Sequence, residues 1–381
     1  MRIVYVCADA GIPVLGGKGA SVHVRAVTTA LVARGHSVVV ACASPGAGNP
    51  RPPVDDIVVL AEDHERALVG LLQGWRADAV IERYSLSSGP ARRATARLGL
   101  PLILEVNAPL VLEAARYRGL TGVERWLALE REVFASADAI GAVSRPLVEY
   151  IARTAPGANA AWVPNGVDAS RYAEAEPSDL GLPAGAVAIG FVGSMKRWHG
   201  TRALVDAVAD LGPGSCAHVV LAGDGPEAPA IRRRITRRRL GDRVRWLGQL
   251  PHHRIPSLLS ALDIGAAPYV AARDFYFSPL KVLEYLAAGL PVVCPALGDL
   301  PALVGDGGCA YSPAHADGLT LALQRLVEDP ERRRATALAS RARAAMWSWD
   351  ANAAAYERLV TDGAAHAEGS APAACLFGGE K

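Results

Sequence analysis

The sequence lacks most of the patterns that settle a protein's class early. Its six cysteines (Cys7, Cys42, Cys216, Cys294, Cys309 and Cys375) form no Cys-x-x-Cys pair, and no zinc-ligand spacing is visible. Several lie in apolar stretches, which predicts buried thiols in a reducing, cytoplasmic compartment. Net charge is only +2, which gives no case for nucleic acid or an anionic membrane surface as partner. No apolar run reaches the roughly 18 residues that span a bilayer, so no integral membrane contact is expected. The opening MRIVYVCADA runs straight into strand-like sequence without a cleavable signal pattern. Two nucleotide motifs are missing as well. Gly17-Lys18 is followed by Gly19 rather than Ser or Thr, so there is no Walker A loop. No Gly-x-Gly-x-x-Gly occurs near the first strand, and Ala41-Cys42-Ala43-Ser44 offers no carboxylate to a ribose.

What is present is apolar sequence with α/β rhythm. The 381 residues are 51% hydrophobic, enough for two or three domains with full cores. Arg2 to Ala8 reads as a buried strand, followed by a Gly-rich loop from Gly11 to Gly19. A helix is expected from about Ser21 to Arg34, then a strand from Ser37 to Ala43. This βαβ opening predicts a parallel, doubly wound sheet. Further strands are read at Ala77 to Arg83 and in PLILEVNAPL, where Glu105, Asn107 and Pro109 sit at a carboxyl end. Glu105 is either a base or a satisfied loop carboxylate, the latter slightly favoured. Glu174 to Gly185 reads as a linker, and Val187 to Val192 opens a second βαβ unit. Two such halves predict two Rossmann-like domains facing a central cleft. Arg232 to Arg239 holds six arginines with no interleaved aromatic residue, so it reads as a solvated helix face.

The stretch Phe275 to Pro295, FYFSPLKVLEYLAAGLPVVCP, carries the most chemistry. Val282, Leu283, Leu286 and Ala287 recur at helical spacing, Gly289 stops the helix, and Val292-Val293 opens a strand. A helix beginning near Leu280 presents unpaired N–H groups and the positive end of its dipole. Lys281 in that first turn is disfavoured by the dipole unless an anion lies there. Glu284, a turn on, is placed to accept hydrogen bonds from sugar hydroxyls. A plain core helix is the alternative.

These residues resemble the retaining GT-B glycosyltransferases of family 4 (glycosyl transferases group 1). The resemblance rests on the Gly16-Gly17 loop, a Val-Ser at 143–144, Pro164-Asn165-Gly166-Val167-Asp168, the Gly193-Ser194 loop, Gly223-Asp224-Gly225-Pro226 and the Glu284 helix with its Gly-x-Pro-Val-Val strand. It covers roughly residues 1 to 360. It implies that Glu284 binds the nucleotide ribose, and that Leu280 and Lys281 meet the diphosphate. It places Gly193, Ser194, Lys196, His199 and Gly223 around the donor, with Gly248 near the base. It assigns Gly16, Gly17 and His23 to the loop that closes over diphosphate and acceptor. The chain departs from the family at four places. Tyr276 stands where the first Glu of Glu-x7-Glu is found, Asn107 where many relatives have His, and Ser194 and His199 where Arg and Lys bind the diphosphate. Lys196 and Lys281 are therefore the expected diphosphate cations, and Asn107, Lys196 and Lys281 the expected catalytic groups.

The resemblance also implies the organisation. Residues 1–172 form the acceptor-side domain, 184–346 the donor domain, 347–361 a helix crossing back to the first domain, and 362–381 a disordered tail. The implied reaction is glycosyl transfer from a UDP- or GDP-sugar, with retention, without cofactor or metal. The expected acceptor is a soluble small molecule of secondary metabolism, with a lipid-linked or cell-envelope glycan as the alternative. A nucleotide-sugar 2-epimerase and a non-catalytic nucleotide-sugar binding protein stay open as other classes.

Overall fold

The computed structural model describes residues 1–48, 51–86, 88–270 and 275–366. The chain forms two compact units. The first comprises Met1–Asn165, Tyr276–Ser278 and the chain from Trp349 onward; the second comprises Gly166–Phe275 and Pro279–Ser348. The expected tail lies outside the described residues from 367 on, while residues 362–366 continue the last helix, Trp349–His366.

The first unit is built on a parallel sheet of β1 (Arg2–Cys7), β2 (Ser37–Cys42), β3 (Asp56–Val59), β4 (Ala79–Arg83), β5 (Leu102–Val106), β6 (Ala139–Ala142) and β7 (Ala160–Trp162). Its order is β3-β2-β1-β4-β5-β6-β7. Runs such as Ile3–Cys7 and Val38–Cys42 are buried without alternation, because helices cover both faces of a parallel sheet. The chain winds outward from β1 to β3 and then returns to place β4 beside β1. The switch point therefore lies between β1 and β4, where open α/β sheets collect their ligands. The Gly-rich loop leaves β1 there and enters helix Gly19–Ala33, two residues earlier than the sequence pattern suggested. The last helix completes this unit's core with Ala353, Tyr356, Leu359 and Val360. Gly141 on β6 makes room for it, since a Cβ there would lie 2.7 Å from the Tyr356 ring.

The second unit repeats the plan with β8 (Val187–Val192), β9 (Ala217–Ala222), β10 (Val244–Gly248), β11 (Ile264–Ala266), β12 (Val292–Pro295) and β13 (Gly308–Tyr311), in the order β10-β9-β8-β11-β12-β13. Its switch point lies between β8 and β11. Helix Leu280–Ala287 follows β11 and buries Val282, Leu283, Tyr285, Leu286 and Ala287. Gly289 takes φ +75° just past its end, and the Leu290 N–H reaches back to the Tyr285 carbonyl at 2.9 Å. The arginine-rich helix Ala228–Arg237 lies against helix Thr201–Asp210, with Arg234 paired to Asp206 and Arg238 to Asp210.

Candidate functional site

In the second unit, three glycine turns form a ladder along the carboxyl edge of the sheet. The Gly193 N–H donates to the Ala222 carbonyl at 2.9 Å, and the Gly223 N–H to the Gly248 carbonyl at 2.7 Å. Gly193 and Gly223 take φ of +137° and +136°. A Cβ on Gly223 would lie 2.0 Å from the Gly193 carbonyl oxygen, so the two turns touch backbone to backbone. This leaves a floor of main chain at the strand ends.

Lys281 comes up beside that floor. Its stem is partly exposed, but Nζ is enclosed and makes no hydrogen bond among the described residues. Nζ lies 4.0 Å from the centre of the Phe191 ring and 5.6 Å from that of Tyr269. A Cβ on Gly193 would come within 2.7 Å of it. Burial pulls the ammonium down to about 7, against the opposing pull of Glu284. His199 closes the same box, its ring centre 5.5 Å from that of Tyr269 and 6.0 Å from that of Phe191. Its Nδ1–H is turned back on the Ser194 carbonyl at 2.5 Å. Burial first, and then the charge of Lys281, push the imidazole down to about 3, so it is neutral at physiological pH. Ser194 and His199 are thus tied to each other. Lys196 lies with Nζ 4.9 Å from the Trp198 ring centre and lines a hollow of about 210 Å³ beside Thr201, Arg202 and Glu227.

Glu284 has partners that the sequence did not reveal. His252 Nε2 lies 3.1 Å from Glu284 Oε1, and the Tyr172 phenol also bonds to this carboxylate. An Arg171 N–H approaches His252 Nδ1 at 3.3 Å, which fixes the hydrogen on Nε2 and makes Glu284 its acceptor. The carboxylate is held on two sides before any ligand arrives.

In the first unit, the Gly-rich loop is laced shut. Arg25 Nη1 donates to the Val14 and Gly16 carbonyls, both at 2.7 Å, and Lys18 Nζ donates to the Gly11 carbonyl at 2.9 Å. A Cβ on Gly16 would meet Pro13 at 2.8 Å, whereas one on Gly17 meets nothing within 4 Å. Packing therefore accounts for the glycine at 16 and leaves the one at 17 unexplained.

Behind the loop, Glu105 is fully buried in a polar cluster. It accepts from Tyr5 at 3.0 Å, Arg83 Nη1 at 2.6 Å and Asn107 Nδ2 at 2.6 Å. His23 Nε2 lies 2.8 Å from Glu105 Oε1. Burial alone would raise this carboxyl; His23, Arg83 and Asn107 more than offset it and hold it at about 2. Glu105 is the satisfied carboxylate of the two readings. His23 Nδ1–H donates to Asn165 Oδ1 at 2.8 Å, because Asn165 Nδ2 is committed to the Ser278 carbonyl at 2.6 Å. Asn107 points its amide inward at Glu105. Tyr276 turns its phenol to Glu113 and receives Ser144 Oγ on its carbonyl at 2.7 Å.

Glu82, at the end of β4, is the opposite case to Glu105. It is 1% exposed, and neither carboxyl oxygen has a well-formed hydrogen bond among the described residues, with the Ser88 hydroxyl giving only a weak opposing pull. Burial pushes it up to about 7. Between about pH 5 and 7 the folded protein keeps a proton that the unfolded chain releases, so stability is lost as pH rises through this window. Glu82→Gln is expected to flatten that slope. In urea melts it should gain on wild type by up to about 3 kcal/mol between pH 5 and pH 8. An unchanged pH slope would refute the assignment.

Two doubly wound parallel sheets, each with a glycine-bearing loop at its switch point, place the chain in the GT-B fold class. A profile described as "Glycosyl transferases group 1" matches residues 186–329, and one described as "Glycosyltransferase Family 4" matches residues 17–171. The chain belongs to this family of glycosyltransferases. A glycogen synthase of Mycobacterium tuberculosis is 26% identical over 390 aligned positions, covering 90% of both chains. The 2-deoxystreptamine glucosyltransferase of Streptomyces kanamyceticus is 28% identical, covering 69% of this chain and 75% of its own. Anabaena HepE, solved in complex with UDP, superposes with a TM-score of 0.75 at 18% identity, covering 95% of this chain and all of that one (100%). Among the described residues no helix is long and apolar enough to cross a membrane.

Proposed function

We propose that this glycosyltransferase moves a sugar from a nucleoside diphosphate donor, a UDP- or GDP-sugar, to a soluble small-molecule acceptor, with retention of anomeric configuration. The observation that carries the reading is Lys281. A lysine nitrogen enclosed beside a helix N-terminus and a main-chain floor, without a hydrogen-bond partner among the described residues, suits a diphosphate. Glu284, one turn further on, suits the ribose hydroxyls. Gly17, which the fold itself does not require, suits a ligand passing close to the backbone. Retention is supported at the end of β5. Glu105 is sealed among its donors and Asn107 cannot take a proton, so neither serves as the base that an inverting attack needs. The relative named for 2-deoxystreptamine supports a small acceptor. Protein cations and dipoles meet the diphosphate charge in this scheme, with no metal required.

The test is a melting panel of UDP, GDP, ADP, TDP and CDP on wild type and Glu284→Ala, with and without EDTA. One nucleotide at about 100 times its Kd is expected to raise the wild-type melting point by about 3–4 °C. The rise should shrink in the variant and ignore EDTA. No shift with any of the five would overturn the reading.

A further inference from the structure

Lys281 poses a problem in the free protein. An ammonium shut between two aromatic rings gains about 2 kcal/mol or somewhat more from such desolvated contacts. That is well short of the cost of burying an unpaired charge. The groups that face it on every side give little help. On its own helix, Glu284 is already engaged by His252 and Tyr172, and the Tyr285 phenol accepts the Val192 N–H at 2.8 Å. From β8 comes only the Phe191 ring, and from the loop after it the neutral His199. From the end of β11 comes Tyr269, whose phenol burial holds far above neutrality. Lys196, the next cation along the loop, rests on Trp198.

Resting on the donor reading above, we propose that a diphosphate fixes on Lys281 a proton that the free protein holds only in part, so that donor binding takes up as much as one proton from solvent. The neutral amine suits the aromatic box; the ammonium suits the phosphates. The balance is simple. Amine, proton and donor combine to an ammonium–diphosphate pair, and departure of the nucleoside diphosphate returns the proton. The lysine nitrogen near 7 puts this exchange within the physiological range. The neighbouring His199 at about 3 and the phenols far above neutrality do not titrate with it.

The experiment is calorimetric titration of the intact protein with UDP, and separately GDP, near pH 8 in Tris, Tricine and HEPES. The heat plotted against buffer ionisation enthalpy gives the protons taken up. Wild type is expected to take up about 0.9 proton per nucleotide, and its Kd to weaken about tenfold from pH 8 to pH 9. Lys281→Met should bind more weakly, with no uptake and no such pH dependence. Nucleotide binding by wild type without proton uptake overturns this inference and leaves the donor reading intact. Uptake retained in Lys281→Met overturns it too. Failure of both nucleotides to bind wild type overturns the donor reading, and this inference with it.

Discussion

Lys281→Met is expected to lower kcat about 100- to 1,000-fold, with a smaller change in KM for the donor. The negative charge of the leaving diphosphate grows as the glycosidic bond breaks, and a cation in a water-poor site is worth most at that moment. Methionine keeps most of the length of the side chain and suits the Phe191 and Tyr269 rings, so the fold should not suffer. Its melting point should equal or exceed wild type, because an enclosed amine has been replaced by an apolar group. That pairing of lost turnover and kept stability separates a catalytic role from a structural one. Arginine should not rescue, since Nζ already fills the space over Gly193, where even a Cβ would lie 2.7 Å away, and a guanidinium is broader than an ammonium. A kcat within a factor of about three of wild type would remove Lys281 from the mechanism.

Glu105→Ala is expected to be the most destabilising single change at the site, by about 3–5 kcal/mol. Glu105 is the common partner of Arg83, His23, Tyr5 and Asn107, and its loss strands the Arg83 charge in the interior. Asn107→Ala removes only one donor from the cluster and should cost about 1 kcal/mol. The Glu105 carboxyl is depressed in the folded state, so its contribution is present above the ordinary carboxylate range. It is lost as pH falls toward about 2. Urea melts of both variants at pH 7, and of wild type down to pH 3, check these points. Equal stability of Glu105→Ala and wild type would show that the cluster is not what holds these strand ends together.

Much of this was legible in the sequence, for identifiable reasons. Gly193 and Gly223 could be found because each turn needs a backbone that only glycine adopts easily, and such needs leave short strings. The face of helix Leu280–Ala287 could be read from spacing alone. What stayed hidden were contacts that topology makes. Nothing local in the sequence says that Phe191 and Tyr269 box in Lys281. His252 and Tyr172 reach Glu284 from distant segments, so Glu284 looked like a free carboxylate. The resemblance assigns His23 only to the loop over diphosphate and acceptor, and Glu105 reads as either a base or a satisfied loop carboxylate. They meet because β1, β4, β5 and helix Gly19–Ala33 converge at one switch point.

The C-terminal helix has a consequence for how the protein is made. Tyr356, Leu359 and Val360 are core residues of a unit whose other parts are almost all translated before Gly166. On a ribosome, that unit emerges with an open slot over Gly141 and waits while the whole second unit is synthesised. The second unit, nearly continuous in sequence, is free to fold in the interval. The part born first is thus the part finished last, and a ribosome that stalls before about residue 360 releases a half-closed sheet to the chaperones.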